Sequence, residues 1–286
     1  MKIVALVTDS TADLSPELAR QNQITVVPLT LHMGGEEYLD GIDIQPEEFY
    51  RRLSVDGSVA TTSQPSPGRF AEVYRRLLQD HQQILSLHLS ADLSGTAEAA
   101  RQAAELVAPE RITVIDTRLV TMALGMIVLA VAAALQEGLD ATAAWDRVQP
   151  LRDSISVYFL VDTLEHLRRG GRIGRAGALI GSMLQIKPVL GLCEGQVEPL
   201  DRVRTTEKAL HRLSELTLNS GSRLSVAIGH GAAPQAAERL AAKLEGHCES
   251  LLMFSVGPVI GAHVGPGVVG VVSCPSTKIP QNGGSI

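Results

Sequence analysis

The sequence predicts an α/β protein of two domains, the first built on a mostly parallel sheet covered by helices on both faces and the second on a mixed sheet. Strand-like apolar runs alternate with amphipathic helical runs through the first half, which is typical of a parallel sheet. The second half contains two strand-like runs joined by a short turn, which indicates antiparallel pairing. A chain of 286 residues is long enough for two domains of ordinary size.

In the first half, strands are predicted from short apolar runs and helices from apolar residues at helical spacing. The strands fall at 3–8, 25–31, 83–89 and 113–116, and the helices at 15–21, 45–53, 67–79, 96–107, 119–136 and 141–152. Ligands of such sheets bind beyond the carboxyl ends of the strands, so functional residues are expected at that edge.

In the second half, strands are predicted at 156–161, 186–193, 196–203, 223–229, 248–255 and 268–273, and helices at 163–169, 176–184, 206–218 and 234–244. Glu194 and Gly195 join two of these strands as a hairpin. We therefore predict an N-terminal α/β/α domain at 1–153, a C-terminal α/β domain at 154–280 and a tail at 281–286. The Pro, Gly, Asn and Ser content of the chain end is typical of weak order.

Composition argues against several classes of function. With 45% hydrophobic but only 3% aromatic residues and a net charge of -6, the chain lacks the basic surface and stacking groups of a nucleic-acid-binding protein. Cys193, Cys248 and Cys274 are widely spaced, which suggests neither a disulfide framework nor a zinc site. The first residues predict a strand rather than a signal peptide. We expect a cytoplasmic protein with reduced thiols and no metal.

One apolar run requires a test for membrane insertion. The segment 119–135 carries no charge, but it is shorter than the roughly 20 apolar residues that a spanning helix needs, and it contains Thr121 and Gly125. A buried helix in an α/β layer accounts for it better. The sequence therefore predicts no stable membrane insertion.

Two hydroxyl-rich turns predict a site for an anion. One follows the strand at 83–89 and carries Ser94 and Thr96 before a helix; the other carries Thr62 and Ser63 before an earlier helix. The first turn of a helix has unpaired N–H groups and the positive end of the helix dipole, so a carboxylate or phosphate binds favourably there. A single Ser or Thr in this position is better explained as an N-cap, and it is the clustering that favours a shared ligand.

Eight strings in collinear order span nearly the whole chain: TDSTADLS, VPLTLHMGGEEYLDG, TSQPSPGRF, LHLSADLSGT, VIDT, LEHLRRGGRIG, KPVLGLCEGQVEPLDRVRT and HVGPGVVGV. Together they resemble the DegV family, whose members bind fatty acids. The resemblance implies an α/β/α N-terminal domain and an α/β C-terminal domain with a mixed sheet, holding one long-chain fatty acid. In bacteria with a fatty acid kinase, which serves phospholipid metabolism, similar proteins present the acid to a kinase subunit that forms an acyl-phosphate.

The resemblance assigns the carboxylate of the fatty acid to Thr62, Ser94, Arg172 and His263. Hydroxyls and free backbone N–H groups hold a carboxylate without strong pairing, and Arg172 is the stronger partner for an ionised group. Two alternatives stay open. In the first, Arg172 has a structural role and holds its own loop by donating to carbonyl groups. In the second, His263 is a buried histidine in a glycine-rich loop whose hydrogen bonds are satisfied by the protein and not by a ligand.

The remaining site predictions are secondary polar contacts, an acyl tunnel and a docking surface. Secondary polar contacts are predicted at Asp9, Ser10 and Ser63. The tunnel is expected in the second domain, and its predicted lining residues are Ile173, Leu179, Ile180, Met183, Leu184, Ile186 and Val189. Each is equally explained as core packing. Arg202 and Arg204 predict a docking face for the kinase subunit, or else a solvated surface.

Two other functions remain open. Ser94 as a nucleophile with His263 and Asp9 would make a serine hydrolase, although the G-x-S-x-G elbow is absent. A protein-interaction module with a structural lipid is the other. No G-x-G-x-x-G follows a predicted strand, which argues against a dinucleotide site. The resemblance to the DegV family thus implies a non-catalytic subunit without a cofactor, whose partners are a fatty acid and a kinase subunit.

Overall fold

The structure is a computed structural model that describes residues 2–55, 59–221 and 223–276, with the backbone alone at 2, 55 and 180–185. The strands are β1 (Lys2–Asp9), β2 (Ile24–Val27), β3 (Thr30–Met33), β4 (Glu36–Leu39), β5 (Ala60–Ser63), β6 (His81–His88), β7 (Ile112–Asp116), β8 (Ser156–Leu160), β9 (Lys187–Cys193), β10 (Gln196–Val203), β11 (Leu224–His230), β12 (Ser250–Ser255) and β13 (Val269–Pro275). The α-helices are α1 (Pro16–Gln21), α2 (Pro46–Val55), α3 (Pro67–Leu77), α4 (Thr96–Val107), α5 (Met122–Gln136), α6 (Ala141–Ser154), α7 (Glu165–Arg169), α8 (Thr206–Asn219), α9 (Pro234–Leu244) and α10 (Pro258–Val264). Two segments, Ser10–Ala12 and Gly174–Gln185, form 3-10 helices.

The first sheet is parallel, with strand order β2-β1-β6-β7. Three of the strands predicted for the first half are present in it, and the strand predicted at 25–31 contributes only its first part, as β2. Helices α3 and α4 bury Phe70, Tyr74 and Ala100 against one face, and α5 and α6 cover the other. The predicted mostly parallel sheet with helices on both faces is confirmed.

The second sheet is mixed, with strand order β10-β9-β8-β13-β11-β12, in which β11 and β12 pair in parallel and the other neighbours are antiparallel. Helices α8 and α9 cover one face with Leu210, Leu213 and Leu240. The predicted turn at Glu194 and Gly195 joins β9 to β10, and both residues have positive φ (47° and 83°), as a tight two-residue hairpin requires. The predicted mixed sheet is therefore also confirmed.

Helix α5 lies between the two sheets and explains the uncharged run in the sequence. Leu124 and Ile127 are fully buried, in one apolar cluster with Leu87 of β6 and Val272 of β13. A side chain at Gly125 would bring its Cβ 2.5 Å from the carbonyl oxygen of Ala12, so only glycine permits this close approach. Among the residues that the structure describes, no helix combines the length and apolar character needed to span a bilayer.

The predicted strand at 25–31 is wrong in extent. It splits at Pro28 into β2 and β3, because proline has no N–H to continue the ladder, and the two halves join different sheets. Strand β3 belongs to a small antiparallel sheet of order β4-β3-β5, and Gly34 and Gly35 (φ 63° and 83°) form the turn of its hairpin. The residues around Thr62, predicted as a turn, form β5, which pairs with β3.

Two further predictions for the second half need correction. The segment predicted as an α-helix at 176–184 is a 3-10 helix, Gly174–Gln185, and its glycines disfavour an α-helix. Gly174 has φ 50°, and a Cβ there would overlap the backbone of Val197. His263, predicted in a loop, lies in the last turn of α10, which begins with Pro258 at its first turn.

The boundary predicted at 153–154 stays a prediction. The strands of the first and the small sheet lie within 2–116, and those of the mixed sheet within 156–275. Helices α5 and α6 contact both the first and the mixed sheet, because one apolar cluster joins them to Leu85, Val157 and Val272. The two halves therefore face each other across this helical layer, and the functional site lies beside it.

Candidate functional site

An apolar cavity of about 360 Å³ lies between the strand ends of the first sheet and the inner face of the mixed sheet. The first half contributes Leu89, Leu93 and Val120 to its wall, and the mixed sheet contributes at least one residue from each of its strands. The lining residues from the mixed sheet include Val157, Phe159, Leu192, Val197, Phe254 and Val272. Its size falls within the range of small-molecule sites, and its lining is suited to an aliphatic ligand.

Polar side chains gather at one part of this cavity. They come from β5 and the turn after it, from the loop before α4, from the loop after α7 and from α10; they are Thr62, Ser63, Gln64, Ser94, Arg172 and His263. The four residues assigned to the carboxylate by resemblance thus lie around one cavity, together with Ser63. Long segments of chain separate them, and the fold brings them together.

Ser94 lies at the start of α4, where the helix has no side-chain cap. Its Oγ is 2.9 Å from Oγ1 of Thr96, and a Cβ at Gly95 would lie 2.5 Å from Oε1 of Gln64. The two hydroxyl-rich turns therefore touch each other. By contrast, Ser66 caps α3 by accepting a hydrogen bond from the N–H of Arg69 at 3.2 Å, so the N-cap explanation applies to Ser66 and not to Ser94.

Thr62 and His263 form a hydrogen bond, with 2.7 Å between Oγ1 and Nε2. Nδ1 of His263 is buried against Gly170 and has no partner among the described residues. Burial, and then the charge of Arg172, lowers the pKa of His263 from 6.5 to about 4, so the ring is neutral at physiological pH. Because an unpaired buried N–H is costly, the proton is favoured on Nε2, where it donates to Thr62. The hydroxyl hydrogen of Thr62 is then free to donate to a ligand.

Arg172 combines a structural and an electrostatic role. Its Nε donates to the carbonyl of Leu93 at 2.8 Å and its Nη1 to the carbonyl of Gly170 at 2.6 Å, which ties its loop to the loop that carries Ser94. Nη2 has no hydrogen-bond partner among the described residues. The guanidinium lines the cavity and acts on the pKa of His263, so its positive charge is felt at the polar part of the cavity. Both explanations of Arg172 from the sequence agree with this geometry.

Asp9 and Ser10 line a different, more polar cavity of about 710 Å³. Asp9 is fully buried and accepts hydrogen bonds from His88 (Nδ1, 2.9 Å), from Leu89 (N, 3.1 Å) and from Thr11 (N, 3.1 Å). Ser10 accepts from the N–H of Leu29. These bonds fix Thr11 and Leu89, which do line the apolar cavity. The structure therefore places Asp9 and Ser10 behind the wall of the apolar cavity.

The start of α10 is held by two carboxyl groups of the first half. The N–H of Gly257 donates to Oδ1 of Asp13 at 3.1 Å, and the N–H of Val259 donates to Oδ1 of Asp40 at 3.3 Å. Burial raises the pKa of Asp13 to about 8 and that of Asp40 to about 6. These contacts fix the position of α10 and with it the position of His263 at its other end.

The residues of the hydrolase alternative do not form a relay. Ser94 bonds Thr96, His263 bonds Thr62, and Asp9 bonds His88. A nucleophile, base and acid must be linked in series for acyl transfer, and the described residues show no such link among these three.

The described residues predicted to line the tunnel lie elsewhere in the fold. Ile173 and Leu179 pack in a cluster behind Phe159, Val189 is buried in the core under α8, and Ile186 precedes β9. None of these four lines the apolar cavity. Ile180, Met183 and Leu184 are among the residues whose side chains lie outside the description. The cavity is lined instead by the inner face of the sheet, because α8 and α9 already cover its other face.

The predicted docking residues lie on the edge strand β10 and directly after it. Arg202 and Arg204 are exposed, and the side chain of neither has a hydrogen bond or ion pair with the described residues. Other exposed arginines nearby are paired, such as Arg175 with Glu198. The two side chains are therefore available to a partner.

Sequence reasoning missed several lining residues. Gly229 and Gly270 lie inside strands, where a glycine is a signal of close approach or of a bulge, and that signal was present. The sequence gives no sign that Phe254 lines a cavity, because an aromatic residue in a strand is also typical of core packing. Thr121 lines the cavity with φ 56°, an unfavourable conformation for a β-branched residue, and its Oγ1 donates to Asp13 at 2.6 Å. No feature of the sequence indicates that conformation.

Comparison with known structures finds the same fold in several solved proteins. A solved structure of a DegV family protein from Thermus thermophilus, described by its fatty acid binding, superposes with a TM-score of 0.91 at 37% identity, covering 96% of this chain and 100% of that one. DegV from Bacillus subtilis, described as a fatty acid binding protein, gives 0.88 at 30% identity, with 96% and 100% coverage. A stearic acid-binding protein from Eubacterium ventriosum gives 0.85 at 26% identity, with 96% and 98% coverage.

Comparison of sequences also identifies DegV proteins as relatives of this chain. A DegV domain-containing protein of Streptomyces coelicolor is 44% identical over 275 residues, which covers 94% of this chain and 97% of that protein. A DegV domain-containing protein of Deinococcus radiodurans is 36% identical over 273 residues, with the same coverage. The profile described as "Uncharacterised protein, DegV family" matches residues 3–276. The chain therefore belongs to the DegV family.

Proposed function

We propose that this protein binds one long-chain fatty acid, with the carboxylate at Thr62, Ser94, Arg172 and His263 and the acyl chain in the apolar cavity between the sheets. The observation that carries the proposal is that an apolar cavity has a guanidinium, an imidazole and the hydroxyls of Thr62 and Ser94 in neighbouring segments of its wall. The hydroxyls of Thr11 and Thr121, which also line it, are instead bonded to aspartate carboxylates. An amphipathic ligand with one anionic end and a long aliphatic tail matches that distribution. The relatives of known structure described as fatty acid binding proteins support it.

The carboxylate is held by donors that are directed but individually weak. Ser94 and Thr62 supply hydroxyl hydrogens, the uncapped start of α4 supplies backbone N–H groups, and Arg172 supplies positive charge without a free bidentate face, since Nε and Nη1 are already bonded. Such a site retains the acid, and because no single bond to the carboxylate is strong, the carboxylate oxygen stays available for reaction. This supports the second part of the proposal, that the protein presents the acid in the cytoplasm to a kinase subunit, which transfers a phosphoryl group to the carboxylate.

The experiment that tests binding is denaturing mass spectrometry of the protein purified from a bacterial host. We expect a co-purified fatty acid, whose mass also reports its chain length. The absence of any acid, together with no binding of added oleate or palmitate by the delipidated protein, would overturn the proposal. Exchange of the bound acid within minutes supports a carrier, whereas a lipid that never exchanges supports a structural role for it.

A further inference from the structure

The floor of the cavity is a row of four residues on adjacent strands of the mixed sheet. Phe159 of β8 pairs with Gly270 of β13, Gly270 with Gly229 of β11, and Gly229 with Phe254 of β12. All four line the cavity. The two glycines carry no side chains. At Gly270 this leaves a trough over β13, where a Cβ would have Phe159 Cβ at 3.3 Å as its nearest neighbour, whereas the space over Gly229 holds the ring of Phe254.

The ring of Phe254 leans across its neighbour. A Cβ at Gly229 would lie 2.5 Å from Cζ and 3.0 Å from Cε1 of Phe254, so the ring lies directly over the glycine. Only glycine at this position leaves room for that ring orientation. Phe254 thus closes the trough on the side of the edge strand β12.

Phe254 also lines the second, larger cavity of about 710 Å³. On that side Ala12, Leu14 and Met122 line the cavity and belong to the same apolar cluster as Phe254. The aromatic ring therefore stands between two cavities, with apolar atoms on both of its sides.

The polar part of the cavity lies toward the opposite edge of the sheet. Arg172 bonds the carbonyl of Leu93, and Leu93 packs with Phe159 of β8. The ring of Phe254 lies over Gly229 of β11, and two strand spacings, about 9–10 Å, separate β8 from β11. An extended chain advances about 1.1–1.2 Å per bond, so about eight bonds cross this distance, and the approach from the carboxylate site takes several more. A long-chain acid whose carboxylate lies near Arg172 brings its methyl end to Phe254.

We propose that Phe254 is the residue that limits the length of the bound acyl chain, by closing the apolar cavity against the second cavity. This inference rests on the proposed fatty acid binding. Removing the ring joins the two cavities and lets additional methylenes pass between Ala12, Leu14 and Met122. Each additional buried methylene raises affinity about three- to fourfold, so two of them favour the longer acid roughly tenfold.

The test is a competition among saturated acids of graded length, from about 14 to about 24 carbons, offered together to the delipidated full-length protein and read by denaturing mass spectrometry. We compare the amount of very-long-chain acid bound with the amount of long-chain acid bound. Phe254→Ala is expected to raise this ratio by about tenfold or more relative to wild type. Phe254→Leu, which preserves an apolar side chain in the core, is expected to shift the ratio in the same direction by a smaller factor, so the inference stays testable if the alanine variant does not fold.

Met253→Ala is the matched control, because Met253 is the neighbour of Phe254 on β12 and lines the second cavity but not the apolar one. Its length profile is expected to equal that of wild type. If Phe254→Ala and Phe254→Leu bind acids with the wild-type length profile, Phe254 does not limit the chain and the inference is overturned, while fatty acid binding stands. If wild type binds no acid, the proposed function itself fails.

Discussion

Oγ1 of Thr62 and Nε2 of His263 lie 2.7 Å apart although 201 positions separate the two residues in the chain. The contact joins the small sheet of the first half to the last helix of the second. Because the buried ring is neutral and its other nitrogen has no partner among the described residues, the bond fixes the direction in which the Thr62 hydroxyl donates. The proposed carboxylate site is therefore completed only when the two halves of the chain are docked together.

Removal of the two hydroxyls tests the carboxylate site directly. Thr62→Val and Ser94→Ala are each expected to weaken fatty acid binding by about 0.5–3 kcal/mol, with the larger value for an ionised carboxylate. Ser66→Ala is the control, since its hydroxyl caps α3 and does not line the cavity; it lowers stability by about 1 kcal/mol without changing affinity. Affinities are read by titration of delipidated protein with oleate. An unchanged affinity in the double variant would mean that the site is elsewhere.

The lowered pKa of His263 predicts a pH dependence of stability. In the unfolded chain the imidazole binds a proton near pH 6.5, but in the folded protein it does so only near pH 4. Between these values the unfolded state binds more protons, so the free energy of unfolding falls as pH drops from 6.5 toward 4, by up to about 3 kcal/mol from this group. His263→Gln removes that contribution, and urea unfolding at pH 7 and pH 4.5 measures it. An equal pH dependence in the variant and wild type contradicts the buried, neutral ring.

A larger side chain on the floor of the cavity tests where the acyl chain lies. A Cβ at Gly270 would have Phe159 Cβ at 3.3 Å as its nearest neighbour, so Gly270→Val projects mainly into the open trough. We expect affinity for palmitate or oleate to fall roughly tenfold or more, because the added methyl groups displace methylenes of the ligand. Stability is expected to stay within about 1 kcal/mol of wild type, since a β-branched residue suits a central strand. Wild-type affinity in this variant would place the acyl chain away from the inner face of the mixed sheet.

The sequence predicts the strands of both main sheets well, because alternating apolar runs depend on local pattern alone. It fails where tertiary contact decides the outcome. Pro28 moves half of a predicted strand into another sheet, and the glycine-rich run near Gly177 forms a 3-10 helix instead of an α-helix. The polar residues proposed for the site were chosen through their motifs and line one cavity, whereas the tunnel was expected around Leu179, which packs in a core. Which face of a sheet stays open depends on where α8 and α9 pack, and no local pattern encodes that choice.

Asp9 is expected to act on stability and not on the ligand directly. A buried chain of hydrogen bonds runs from Tyr74 through Ser86 and His88 to the Asp9 carboxylate, with distances of 2.9, 2.7 and 2.9 Å. Asp9→Ala removes the partner of Nδ1 of His88 and of the N–H of Leu89, and it is expected to lower the free energy of unfolding by about 3–5 kcal/mol.

The matched control for Asp9 is a second aspartate whose carboxylate is exposed. Asp92→Ala removes a carboxylate that accepts one hydrogen bond from Gln196, and it is expected to cost less than about 1 kcal/mol. Urea unfolding separates the two variants. Stability equal to wild type in Asp9→Ala would contradict this role of the buried carboxylate, and any loss of fatty acid binding would then have to come from a direct contact.

The exposed arginines of β10 test the proposed presentation of the acid to a kinase. Because the side chains of Arg202 and Arg204 have no partner among the described residues, reversing their charge disturbs little of the fold and acts mainly on a docking partner. The double variant Arg202→Glu/Arg204→Glu is expected to bind fatty acid as wild type does, and to slow acyl-phosphate formation by a bacterial fatty acid kinase subunit by about tenfold or more. Arg223→Glu is the control, since this arginine is equally exposed but lies at the start of β11 beside Glu249. If added salt slows the reaction of wild type but hardly affects the double variant, the two charges steer the encounter. If the double variant reacts at the wild-type rate, β10 is a solvated edge whose charges only keep other strands from pairing with it.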